Sequence, residues 1–196
     1  MSPAPKTAQR PKREAILGID PGSLVTGWGV IEAEGNRLYY TAHGIIATSP
    51  ALAQAERLKQ IYRGIQEVIR CYRPVVVSLE KVFFSRNVQS ALKLGQARGI
   101  AMLAAAESEI PLFEYSATEI KLGVVGYGHA TKEQIQKMVT ALLSLRGALR
   151  TDAADALAAA ICHIHRRTYQ ARIGEIGKPR TTKSSWRDYA AAATKR

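Results

Sequence analysis

Long apolar runs are missing from this 196-residue chain. No stretch approaches the roughly 18 uninterrupted apolar residues of a membrane span, and the opening MSPAPKTAQRPKRE lacks the apolar core of a secretory signal. A cytosolic site is expected. Cysteine is almost absent too: Cys71 and Cys162 have no metal-ligand spacing and no reason to pair in a reducing compartment, so both read as packing residues. His163 and His165 stand two apart, which points them to different faces of a helix and argues against a shared metal. No internal repeat is visible. The remaining shortage is of negative charge, with 16 Asp+Glu against 28 Lys+Arg and a formal net charge of +12.

The excess of positive charge is uneven. Residues 1–13 carry Lys6, Arg10, Lys12 and Arg13 with no acid, residues 166–196 carry nine basic and two acidic residues, and the stretch between them is nearly neutral. A polyanion partner follows from that balance, with basic tails on one α/β domain large enough for a real core. Residues 1–13, rich in Pro and Lys/Arg, are expected to be a flexible extension, 14–167 the domain, and 168–196 a disordered basic tail.

The few acids are concentrated at informative places. Asp20 closes the apolar run AILGID, Glu80 closes VVVSLE, and Asp152 and Asp155 open the alanine-rich TDAADALAAA. Around them the pattern predicts a strand at AILGID, a hairpin in WGVIEAEGNRLYYTAHGIIAT about Glu34-Gly35-Asn36, and a helix through Leu52, Leu58, Ile61, Ile65, Val68 and Ile69 stopped by Pro74. A strand VVVSLE, a helix from Asn87 to Ser108, a strand PLFEY and helices over 117–124, 131–143 and 152–167 complete it. Three strands, then helix, strand, helix, strand, helix is the order of the ribonuclease H-like fold, a mixed five-stranded sheet flanked by helices. In that layout Asp20 and Glu80 lie on adjacent strands. Asp152 and Asp155, at i and i+3, share one helix face, with Ala153 and Ala154 allowing close packing on the sheet and Thr151 as an N-cap. Four converging carboxylates repel one another unless cations intervene, and hard oxygen donors suit Mg²⁺ or Mn²⁺. Two such ions about 3.5–4 Å apart can clamp an in-line phosphoryl displacement.

The segments GIDPGSLVTGWGVIE (18–32), LEKVFFSRN (79–87), SALKLGQARG (90–99), KLGVVGYGHATKEQI (121–135) and DAADALAAAI (152–161) resemble the RuvC Holliday-junction resolvases, in the family's order and over about Ala15 to His165. The resemblance implies that Asp20, Glu80, Asp152 and Asp155 are catalytic acids binding two Mg²⁺ ions, replaceable by Mn²⁺. It implies that Lys121 and Lys132 act near the scissile strand, that Phe83 stacks on junction bases, and that Arg86 of the same segment contacts DNA. It further implies paired symmetric nicks in four-way DNA junctions during recombination and repair, with 5′-phosphate and 3′-hydroxyl products. A homodimer, collaboration with the RuvA and RuvB branch-migration complex, and work in the bacterial cytosol at the chromosome belong to the same implication. Small residues Ala91, Gly95, Gly99 and Ala106 make the Asn87–Ser108 helix a candidate for the dimer contact, or equally for packing on its own sheet.

Two other classes share parts of this pattern. An actin-like or sugar-kinase-like ATPase also opens with strand, Asp, Gly and Ser/Thr, as GIDPGS does, but needs a second such domain and phosphate loop. A ribonuclease H-fold protein cutting structured RNA, or binding junctions without cutting, would keep the fold; a non-cutting form would be expected to lose an acid. Deleting residues 168–196 is expected to flatten the salt dependence of DNA binding while preserving preference for junction over duplex, measured by titration at several salt concentrations.

Overall fold

The computed structural model describes residues 13–81 and 88–176, the last six of these by backbone alone. Five strands form one sheet: β1 (Glu14–Asp20), β2 (Val25–Glu34), β3 (Arg37–Ala47), β4 (Val76–Glu80) and β5 (Leu112–Tyr115), in the order β3-β2-β1-β4-β5. The first three make an antiparallel meander, whereas β4 and β5 add parallel to β1. Crossovers of that kind need helices, supplied by α1 (Gln54–Tyr72) and α2 (Val88–Glu107). Helices α3 (Ala117–Val125), α4 (Lys132–Leu142) and α5 (Thr151–Ile176) follow β5.

Alternation along β1, β2 and β4 divides their buried residues between two cores. Leu17, Ile19, Val30, Val77 and Leu79 point toward α1 and α2, where they meet Ile61, Ile65, Ala97 and Ala101. Ile16, Ile31, Ala33 and Val76 point the other way, against Leu157, Ile161 and Ile164 of α5 and the apolar faces of α3 and α4. Each fully buried Leu or Ile in these layers contributes about 1.5–3 kcal/mol. Asp20 shares the parity of Ile16 and Gly18, and Glu80 that of Val76 and Ser78, so both acids lie on the α5 side.

Helix α5 crosses that face at backbone contact distance. A Cβ on Gly18 would stand 1.9 Å from the Ala156 carbonyl oxygen, and one on Gly27 would stand 2.0 Å from that of Asp152. Side chains at either position are incompatible with the helix where it lies. Farther along, the buried Ser78 hydroxyl donates to the Ala159 carbonyl at 2.7 Å. The helix thus passes over β2, β1 and β4 in turn.

Four sequence expectations change. Leu52 precedes α1 instead of belonging to its apolar stripe, and is 36% exposed. Thr151 is the first residue of α5, not its cap, because the Arg150 carbonyl already accepts the Ala154 N–H at 2.9 Å. Cys71 is exposed, so only Cys162 is a packing residue. Helix α5 runs nine residues beyond Arg167; its far half is held by tertiary ion pairs of Arg166 with Glu119 and Arg167 with Glu14, partners that local sequence does not reveal. His163 is buried with Nδ1 2.9 Å from the Tyr115 hydroxyl, while His165 Nδ1 donates to the Gly123 carbonyl at 2.7 Å, so both histidines serve packing. Among the described residues no helix is long and apolar enough to cross a membrane.

Gly18→Val is expected to displace α5 from β1. A loss of about 1–3 kcal/mol from overpacking lowers the midpoint of thermal unfolding by several degrees, measurable by circular dichroism.

Candidate active site

The last registered pair between β1 and β4 is Ile19 with Leu79, so Asp20 and Glu80 are the next residues on two parallel neighbours. Both strands end there with their acids on the same side. The loop after β1 is held closed by Thr26, which is fully buried: its hydroxyl donates to the Gly22 carbonyl at 2.9 Å and accepts from the Gly22 N–H at 3.3 Å. Thr48 anchors the far side of that loop through the Ser23 and Leu24 carbonyls. Asp152 enters from the first turn of α5 and Asp155 from the second, brought within range because Gly27 admits the Asp152 backbone.

Electrostatics joins the four carboxylates into one unit. Burial, reinforced by the charges of Asp155, Glu80 and Asp152 in that order, pushes the Asp20 carboxyl up to about 7 from its ordinary 3.8, with Lys132 opposing the rise. Glu80 is raised by burial and by Asp155, against Lys132 and Lys121. Asp155 is raised mainly by burial, with Lys132 again acting against it. Among the described residues no three His, Cys, Asp or Glu side chains approach closely enough to grip one ion as they stand. The acids form a charged cluster open to adjustment, not a closed cage.

Cations of the chain itself border that cluster. Lys132 Nζ lies 3.5 Å from Asp155 Oδ2, and the Arg150 guanidinium 3.7 Å from Asp152 Oδ2. Thr131 places Lys132 at the start of α4 through a capping box with Gln134. Lys121, on α3, also opposes the rise at Glu80. Of the residues picked out in the sequence, Asp20, Glu80, Asp152, Asp155, Lys121 and Lys132 therefore share one electrostatic neighbourhood. Phe83 and Arg86 lie outside the described residues. Sequence reasoning passed over Arg150, Thr26 and Ser78. Arg150 could have been found by its place directly before TDAAD, and Ser78 by its parity with Glu80.

This donor set fits divalent hard cations: every ligand would be a carboxylate oxygen, and burial first, with the charges of three neighbouring acids second, disfavours the ionised Asp20 that such an ion would stabilise. Comparison with known proteins identifies a family. The family profile described as crossover junction endodeoxyribonuclease RuvC matches residues 16–163. The crossover junction endodeoxyribonuclease RuvC of Geotalea uraniireducens is 54% identical over 148 residues, 76% of this chain and 86% of that protein. The protein of the same name from Pelobacter propionicus is 49% identical over 174 residues, 89% of this chain and 98% of its own length. Among solved structures, T. thermophilus RuvC in complex with Holliday junction substrate superposes with a TM-score of 0.76 at 34% identity, covering 80% of this chain and 96% of that one.

Asp20 keeps its proton to higher pH in the native protein than in the unfolded chain. The stability this group contributes is full below pH 3.8 and is lost as pH rises through about 7. Asp20→Asn, compared with wild type in EDTA, is expected to show a stability advantage that widens across that window and levels off above it. At pH 8 the unfolding midpoint should be higher by about 8–16 °C, since holding a carboxyl at about 7 instead of 3.8 costs about 4 kcal/mol once it ionises, at roughly 2–4 °C per kcal/mol. Added Mg²⁺ should close the gap at pH 8 and do little at pH 5.

Proposed function

The chain belongs to the RuvC family of crossover junction endodeoxyribonucleases, and we propose that it resolves Holliday junctions by paired symmetric nicks, using Asp20, Glu80, Asp152 and Asp155 as the hydrolytic centre. The observation that carries this reading is the convergence of four acids from three segments far apart in sequence, Asp20 and Glu80 at the adjoining ends of β1 and β4 and Asp152 and Asp155 at the start of α5. A fold has no reason to gather such charges for stability alone. The four carboxylates would hold two Mg²⁺ ions, or Mn²⁺ in their place. Bound ions of this kind make attacking water more acidic and stabilise the departing 3′ oxygen.

The chain's own residues supply the rest. Asp20 and Glu80, fixed on strand ends, define a rigid floor, whereas Asp152 and Asp155 form the opposing wall on α5. Lys132, 73% exposed in its side chain, is able to leave Asp155 for a phosphate of the incoming strand. Lys121 sits where it can offset negative charge as the phosphorus becomes five-coordinate. Products would carry 5′-phosphate and 3′-hydroxyl ends. Phe83 and Arg86 are proposed as contacts to junction bases and backbone.

Two nicks of like polarity call for two centres related by a two-fold axis, and the junction has that symmetry itself. Helix α2 offers a surface for this. Ala97, Ala101, Ala104 and Ala105 are buried within the subunit, but Gly95, Gly99 and Ala106 lie on the outer side, beside exposed Leu92, Met102 and Leu103. Among the described residues, and apart from the helix's own neighbouring backbone, nothing comes within 4 Å of where a Cβ on either glycine would stand. That division supports α2 as the homodimer contact. Partnership with the RuvA and RuvB complex and a place in the bacterial cytosol complete the reading.

Purified protein is expected to nick an end-labelled four-way junction symmetrically with Mg²⁺ and not with EDTA, leaving a duplex of the same sequence intact. Asp20→Asn should abolish cutting while preserving or tightening junction binding, since it removes charge and metal affinity but keeps shape. Lys132→Met should slow cutting about 10²-fold. Loss of junction binding together with cutting in Asp20→Asn would instead assign that residue a structural role.

A further inference from the structure

Helices α3 and α4 each open with a capping box, and the two boxes differ in a useful way. In α4 the closing residue is Gln134, whose amide oxygen accepts the Thr131 N–H at 2.8 Å. In α3 it is Glu119, whose Oε2 accepts both the Ser116 N–H at 2.8 Å and the Ser116 hydroxyl at 2.9 Å. A neutral amide closes such a box adequately. The charge on Glu119 is therefore surplus to capping, and its second oxygen is engaged elsewhere: Oε1 lies 2.8 Å from Arg166 Nη1 on α5.

Arg166 stands eleven residues after Asp155, three helical turns on, so the two occupy nearly the same face of α5. Between them, Cys162 Sγ lies 3.3 Å from the Glu119 carbonyl oxygen, and His165 Nδ1 donates to the Gly123 carbonyl at 2.7 Å. The approach is close enough that a Cβ on Gly123 would stand 2.9 Å from Cys162 Sγ. Helix α5 thus grips α3 at residues 119 and 123, and Lys121 lies between them. The helix that carries two of the acids also fixes the segment that carries the lysine.

We propose that Arg166 is a positioning residue for strand cleavage: its ion pair with Glu119 locks α3 against α5 and so sets Lys121 relative to Glu80 and the α5 acids. The proposal rests on the catalytic reading of Lys121 given above. Magnitudes separate it from an ordinary structural pair. Arg166 and Glu119 are 40% and 31% exposed in their side chains, so their pairing adds only about 0–1 kcal/mol to stability. Misplacing a catalytic group by about 1 Å, in contrast, can slow a reaction by roughly 10²-fold.

The test uses Arg166→Met and Glu119→Gln, the latter keeping the cap in the form α4 already uses. Single-turnover cleavage of a labelled junction, at saturating protein and Mg²⁺, is compared with junction affinity and the unfolding midpoint. Both variants should lose about 5–20-fold in rate with affinity within twofold and a midpoint within about 2 °C of wild type, while Arg166→Lys restores most of the rate. Adding Arg166→Met to Lys121→Met should cost nothing more, because no lysine remains to be positioned. Wild-type rates in Arg166→Met, beside a slow Lys121→Met, would overturn the positioning role alone. An equal further loss in the double variant would also overturn it, since the pair would then act through something else. A Lys121→Met variant that cuts at the wild-type rate would instead remove the catalytic reading of Lys121 and the proposal with it.

Discussion

Close approach of α5 to the sheet is the contact from which the rest of the molecule follows. At Gly18 and Gly27 the helix backbone occupies space that a side chain would fill, and the buried Ser78 hydroxyl satisfies a carbonyl where the helix passes β4. Alanines 153, 154, 156, 158, 159 and 160 line that passage, each 3% exposed or less. Bulkier residues would hold the helix near the usual interlayer distance of about 10 Å and would lift its first turn away from the strand ends. Small residues on both partners turn a packing arrangement into a convergence of acids, because they bring Asp152 and Asp155 down to Asp20 and Glu80.

Much of this was legible. Asp20 and Glu80 announce themselves by ending apolar runs, and the period of two then fixes which face they share; the DAAD spacing does the same for one face of a helix. Less legible were features that depend on partners distant in sequence. Glu119 reads as a capping residue, which it is, but nothing nearby predicts that Arg166 meets its other oxygen. The overrun of α5 past Arg167 has the same origin, since Arg167 pairs with Glu14 across nearly the whole chain. Thr151 failed as a cap because the helix begins one residue earlier than capping preference suggests, with Arg150 contributing its carbonyl and lending its guanidinium to Asp152. Local propensity yields there to the demands of the site.

Charge placement carries its own cost. An acid cluster with Asp20 pushed up to about 7 works against folding at neutral pH, and the nearby cations offset only part of it. The two core layers beneath provide the stability on which that strain is carried, with Leu17 and Ile19 on one side of the sheet and Ile16 on the other, all fully buried. Function and fold therefore compete at the strand ends and cooperate two residues below.

The parallel pairing of β1 with β4, and the late arrival of α5, also govern when the acid cluster can exist at all. Asp20 leaves the ribosome early, Glu80 some sixty residues later, and the α5 pair only after about seventy more. At the roughly 5–20 residues per second of synthesis, the interval from the first acid to the last is several seconds or more. A growing chain carries Lys6, Arg10, Lys12 and Arg13 long before it has four carboxylates. A product truncated or stalled before residue 152 thus lacks half of the acid cluster, and only a chain extended through the first turns of α5 can assemble it.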